Sequence, residues 1–215
     1  GLGVIQSGLW KVVLFMIVSP FLGLVIGFFF MIAVLWIVRR KSQSIVDGWF
    51  KRLQLLSASA FSFSHGTNDA QKTMGIIFYL LLGTGYFAAV GVAPGHETVP
   101  IWVILSAHSA IACGTLVGGW GVIKTLGQKV AKLRPVHGFA AETSAAGTII
   151  GCSLAGIPVS TTHTITGSII GVGSAKRASA VRWGVTRNIV WAWLLTIPIS
   201  AVIGFVSYSI ISFFV

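Results

Sequence analysis

Charge is what this sequence has least of. Only 9% of its 215 residues are charged, against about 25% in ordinary soluble domains. Acidic residues are scarcer still, 4 Asp+Glu against 15 Lys+Arg. A soluble fold of this size cannot cover its surface with so few charges, so soluble enzymes, nucleic-acid modules and disordered tails are excluded. Cysteine is also rare. Cys113 and Cys152 lie in apolar stretches without metal-ligand spacing, which excludes a disulfide framework and predicts two buried small side chains. There is no initiating Met and no cleavable leader pattern, so a fragment or a processed chain is expected.

What is present is apolar, at 55% hydrophobic residues and a mean hydropathy of +0.91. These residues fall in long runs. Residues 12–38 carry no charge and lie between Lys11 and Arg39-Arg40-Lys41, long enough for a tilted span. Further spans are predicted at 53–92 (broken by a polar cluster), 100–123 and 188–215. Residues 136–175, divided by Pro158, suit a re-entrant hairpin or two short helices. Backbone cannot stay unpaired in lipid, so the expected fold class is an all-α polytopic membrane protein, one transmembrane module over 1–215. Gly114…Gly118 and Gly147…Gly151 are expected to permit close helix contacts.

The net charge of +11 would suggest nucleic acid in a soluble protein. Here the basic residues flank apolar spans, so they report orientation and no nucleic-acid partner is expected. The loops at 39–52, 124–134 and 176–187 are predicted to be cytoplasmic, and 93–98 to face outward. The basic stretch Lys124–Arg134 is expected to be an interfacial helix drawn to anionic membrane lipid.

Two polar clusters interrupt the apolar runs. Ser64-His65-Gly66-Thr67-Asn68-Asp69-Ala70-Gln71-Lys72 puts ionisable groups where lipid makes them costly. Asp69 and Lys72 can pair across one helical turn. His65, Gly66 and Asn68 favour a local break, whose freed carbonyls can hold ions. The plainer alternative is a cytoplasmic loop between short spans. The second cluster is Pro158-Val159-Ser160-Thr161-Thr162-His163-Thr164. Pro158 ends what precedes it, Ser160 is a good N-cap, and a helix should start near Thr161. Its free N–H groups and hydroxyls suit an oxyanion, although hydroxyls also cap membrane helices in general. Glu142, at the head of a small-residue run, is either a cation or proton site or an interfacial carboxylate. His108 reads as a core histidine and His137 as interfacial.

These clusters resemble those of the PiT-family inorganic phosphate transporters. Residues 64–72 are similar to that family's Gly-Ala-Asn-Asp signature and residues 158–163 to its second hallmark. Ala141-Glu142, about fifteen residues before Pro158, is also similar. The likeness covers about 60–190 and is closest to the carboxy-terminal half. It implies secondary active transport of inorganic phosphate across the cell membrane, no enzymatic activity and no cofactor. The family is built from two halves of opposite orientation. One copy of each motif therefore implies an inverted-repeat half, needing a missing amino-terminal half or a second copy.

Carried over residue by residue, the resemblance implies that Ser160, Thr161, Thr162 and Asn68 hold phosphate. Asn68, Asp69 and Glu142 would belong to the coupling ion, H⁺ or Na⁺, and a divalent metal travelling with phosphate is a further expectation. Gln71-Lys72 departs from the family pattern, and an ammonium so near Asp69 favours protons. Two other functions compete. A b-type haem electron carrier would use His65, His108 and His163. A hydrolase would use Ser160 and His163.

Overall fold

The computed structural model describes residues 2–214, with side chains from Trp10 to Phe213. Among the described residues every long element is helical. In order they are α1 (Leu2–Val38), α2 (Gln43–Gly83), the short α3 (Tyr86–Ala89), α4 (Ile101–Lys124), α5 (Pro135–Leu154), α6 (Thr161–Lys176) and α7 (Trp183–Phe214). Among the described residues three stretches are long and apolar enough to cross a membrane: Trp10–Val38, Ile101–Val130 and Trp183–Phe213.

α5 and α6 form a hairpin joined by the turn at 155–160, where Gly156 takes φ +67°. Its feet are tied together by an Ala131–Val181 bridge and by Arg182 N–H donating to Val130 O at 2.9 Å. Arg134 Nη2 reaches Asp47 Oδ1 of α2 at 2.8 Å. The basic segments after α1, after α4 and after α6 therefore converge on one end. There Val46, Phe50, Val130, Val136, Val172 and Val181 share a core with Met31 of α1.

α1 and α6 run parallel and touch backbone to backbone. A Cβ added at Gly167 would overlap the Pro20 carbonyl, and one at Gly171 the Leu24 carbonyl. From the other side, a Cβ at Gly23 would meet Thr164 O and one at Gly27 the Ser168 backbone. Lipid offers no hydrophobic drive between helices, so close van der Waals packing through small residues takes its place. Ser19 and Ser168 are fully buried, and their hydroxyls meet no hydrogen-bond partner among the described residues.

Several expectations are corrected. The polar cluster does not break its helix: α2 is continuous for 41 residues. Its side chains find partners without a break: Ser64 Oγ donates to Phe61 O and Thr67 Oγ1 to Phe63 O, Asn68 and Lys72 donate to Asp69 and to Val159 O in the turn before α6, and His65 and Asp69 meet Thr161 of α6. The helix also begins at Gln43, so much of the expected loop at 39–52 is α2 itself. Lys124–Arg134 is not a separate interfacial helix. α4 passes into a π-helical turn at Thr125–Val130, then the chain extends to Pro135. Gly114, Gly118, Gly147 and Gly151 make no close contact with other helices among the described residues. Cys113 is exposed and Cys152 half-buried, both with free thiols.

α4 meets α2 through Val103 and Ala107 against Ala70 and Met74. α7 packs on the core at its start through Val185 and Ile189 and meets α6 where Trp193 lies against the His163 ring, while Leu194, Ile203 and Phe205 beyond are exposed.

The seam has a direct test. Gly167→Ala should destabilise the detergent-solubilised protein by about 1–3 kcal/mol, because the methyl has nowhere to go. Gly118→Ala should be neutral or stabilising by up to about 1 kcal/mol through helix propensity. Thermal melts followed by size-exclusion recovery compare the two.

Candidate functional site

α6 starts where the sequence places a cap. The backbone N–H of His163 donates to Ser160 Oγ at 3.4 Å, and that of Thr164 donates to Ser160 O at 3.0 Å. The first-turn N–H groups of Thr161 and Thr162 have no acceptor inside the helix, so the turn presents donors and the positive end of the α6 dipole. The 16 residues of α6 set this turn about 24 Å from the basic end, less than the roughly 30 Å thickness of a bilayer's hydrocarbon core.

Opposite the turn lies Asp69 of α2, 32% exposed in its side chain. Its Oδ1 accepts from Lys72 Nζ at 2.9 Å and from Asn68 Nδ2 at 3.2 Å. Its Oδ2 accepts from Thr161 Oγ1 at 3.2 Å and lies 3.3 Å from His65 Nδ1. His65 Nδ1 is also 2.9 Å from Thr161 Oγ1. Residues 65, 68, 69 and 72 fall on one face because they are three or four apart on a continuous helix.

The non-helical turn before α6 contributes one more group. Val159 O accepts from Asn68 Nδ2 and from Lys72 Nζ, both at 3.2 Å. The ammonium thus sits between a carboxylate and a carbonyl freed by the chain break, the ligand pair that a small metal cation would take.

The structure brings Ser160, Thr161, Asn68 and Asp69 together. Asn68 is buried and its amide donates inward, to Val159 and Asp69, so it stands behind the turn rather than facing the open side. Thr162 is exposed on the wall of an open cavity of about 1410 Å³. Glu142 lines the same cavity but is not part of the Asp69 cluster. Its Oε2 accepts from Ser57 Oγ at 2.6 Å and its Oε1 from Gln54 Nε2 at 3.4 Å. Gly138 leaves the room in which the Gln54 amide lies.

Sequence reasoning passed over His65 as a partner of Asp69, although the i,i+4 spacing carried the signal. It also passed over Gln54 and Ser57, for which no local pattern exists. The haem alternative gains no support: His65 Nδ1 lies 2.9 Å from Thr161 Oγ1, His108 Nδ1 2.8 Å from Ile104 O, and His163 Nδ1 3.1 Å from Met16 O. The hydrolase alternative fails similarly. The cap uses the His163 backbone, while the imidazole turns toward Met16 and Trp193.

A probable low-affinity inorganic phosphate transporter of Rhizobium meliloti is 47% identical over 205 residues, covering 95% of this chain and 60% of the relative. The Bacillus subtilis protein of the same description is 37% identical, over 96% of this chain and 60% of its own. A solved structure described as "The sodium-dependent phosphate transporter" superposes with a TM-score of 0.70 at 27% identity, covering 90% of this chain and 64% of that one. The chain thus spans about 60% of the length of these bacterial relatives. Their family consists of transporters rather than enzymes, and it places the chain among multi-pass proteins of the cell membrane. With the family model matched across residues 1–204, the chain belongs to the phosphate transporter family.

Proposed function

We propose that this chain carries one half of a secondary transporter that moves inorganic phosphate across the cell membrane, with protons as the coupling ion. The observation that carries the reading is the first turn of α6 facing the Asp69–Lys72–His65 group across Thr161. Phosphate inside a bilayer needs several donors in place of water, and a helix N-terminus with adjacent hydroxyls supplies them. Ser160 keeps its hydroxyl proton while its oxygen serves as cap. Thr162 projects into the cavity, and Thr161 links the turn to Asp69.

An anion beside Asp69 is unfavourable unless that carboxylate is balanced. Lys72 balances it through a bond of 2.9 Å. A fixed ammonium in the cation position does not travel, which leaves the mobile charge to a proton. Glu142 has only neutral partners, Ser57 and Gln54. An intramembrane carboxylate without a fixed cation suits a proton relay or a gate. Glu142 shares the cavity wall with His65 and Thr161, the two neighbours of Asp69, so both groups can act on one translocation path. A divalent metal entering with phosphate would be part of the cargo.

The second half is needed for a complete path. The chain covers about 60% of its relatives. Sodium is the alternative coupling ion, favoured by the sodium dependence of the structural relative.

The decisive experiment is phosphate uptake by the complete transporter in proteoliposomes. An imposed inward proton gradient in sodium-free buffer should drive uptake, with arsenate competing. Uptake that needs sodium and ignores the proton gradient sinks proton coupling, while no phosphate uptake under either gradient sinks the transport reading. Asp69→Asn should lower gradient-driven uptake about tenfold or more, the scale of losing a charge-assisted contact of about 1.5–3 kcal/mol.

Lys72→Met vacates the site between Asp69 and Val159. Its uptake should become dependent on external Na⁺, read as a rise in initial rate on adding NaCl but not choline chloride.

A further inference from the structure

Met16 and Pro20 are four residues apart on α1. A proline has no N–H, so the helical bond that position 20 would donate to Met16 O is missing. Inside a membrane that carbonyl needs a donor from elsewhere. The donor comes from α6: His163 Nδ1 lies 3.1 Å from Met16 O. A carbonyl only accepts, so Nδ1 carries the proton, which sets the tautomer of the neutral ring.

The other faces of His163 are also engaged. Its ring stacks on Trp193 of α7, with centroids 3.8 Å apart and planes at 30°. Its backbone N–H holds the Ser160 hydroxyl that caps α6. The glycine seam makes its contacts further along α6, at Thr164, Gly167, Ser168 and Gly171. His163 extends the join to the first turn, the part that faces Asp69.

We propose that His163 is a positioning residue for the anion site, strapped by the proline-freed carbonyl of Met16 and braced by Trp193, so that the Ser160–Thr162 turn keeps its place opposite Asp69. This rests on the reading of that turn as the phosphate site. His163 does not touch the transported anion. It acts through the turn, and its contribution is felt as affinity for phosphate rather than as turnover.

The test uses the full-length transporter in proteoliposomes with inorganic phosphate as substrate, together with ¹⁵N NMR of histidine-labelled protein. His163 should appear as the Nδ1–H tautomer, its signals identified by their loss in His163→Asn. The asparagine keeps a donor near the Nδ1 position and should hold KM within about threefold of wild type. His163→Phe keeps a ring against Trp193 but strands the Met16 carbonyl, so KM should rise about tenfold with Vmax within about twofold, as expected for one buried acceptor left unpaired. Pro20→Ala returns a helical donor to Met16 O, loosening the strap without stranding the carbonyl. It should raise KM about threefold with thermal stability kept or raised, and it decides the matter if His163→Phe fails to fold. A fall in Vmax at constant KM in both His163 variants would mark a proton carrier and overturn the proposal. So would an Nε2–H tautomer, or an unchanged KM in Pro20→Ala. Wild-type uptake with every variant unaffected overturns this proposal alone, whereas a wild type that moves no phosphate overturns the reading of the turn beneath it.

Discussion

The structure is organised around a carboxylate that has to be balanced inside lipid. Asp69 sits on a helix surrounded by apolar residues, where an unpaired charge would cost several kcal/mol. Its partners come from two directions. Lys72, Asn68 and His65 are supplied by α2 itself, and Thr161 by the start of α6. Because one of those partners belongs to a different helix, the α5–α6 hairpin has to end at a particular depth. Val159 O, exposed by the turn that makes this possible, takes the second amide proton of Asn68 and a second ammonium proton of Lys72. Helix break, hairpin depth and polar cluster are thus solutions to a single electrostatic problem.

That hairpin could not hold its depth without a register against α1. The glycines of α1 and α6 bring two backbones into contact, and such a contact is unforgiving of axial slip because carbonyls occupy the positions of missing methyl groups. The bonds at the feet of the hairpin fix the opposite end. A polar site in lipid therefore stands on a framework held mostly by shape, since water expulsion contributes little there.

Much of the architecture was legible in the sequence. The scarcity of charge and the length of the apolar runs point to a helical membrane protein, and Pro158 with Ser160 announces the beginning of α6. Other features were not, for identifiable reasons. Residues 64–72 read as a helix break because Gly66 and Asn68 are poor helix formers. Yet the polar side chains there find partners on their own helix, on the turn at Val159 or on α6, so nothing forces the backbone open. Gly114…Gly118 and Gly23…Gly27 look alike as spacing. Only the tertiary arrangement shows which pair meets another helix. Gln54 and Ser57 became partners of Glu142 through the packing of α2 on α5, across a separation of 85 residues or more, and no local pattern encodes that.

The unbroken course of α2 has a mechanical consequence. Gln54 and Ser57, which hold Glu142, and His65 and Asp69, which hold the α6 turn, all ride on one rod without a joint. A rod cannot bend to serve its two stations separately. Any tilt that draws Asp69 away from Thr161 also levers Ser57 against Glu142, so an inner and an outer barrier mounted at these stations would be geared to each other by the stiffness of a single helix.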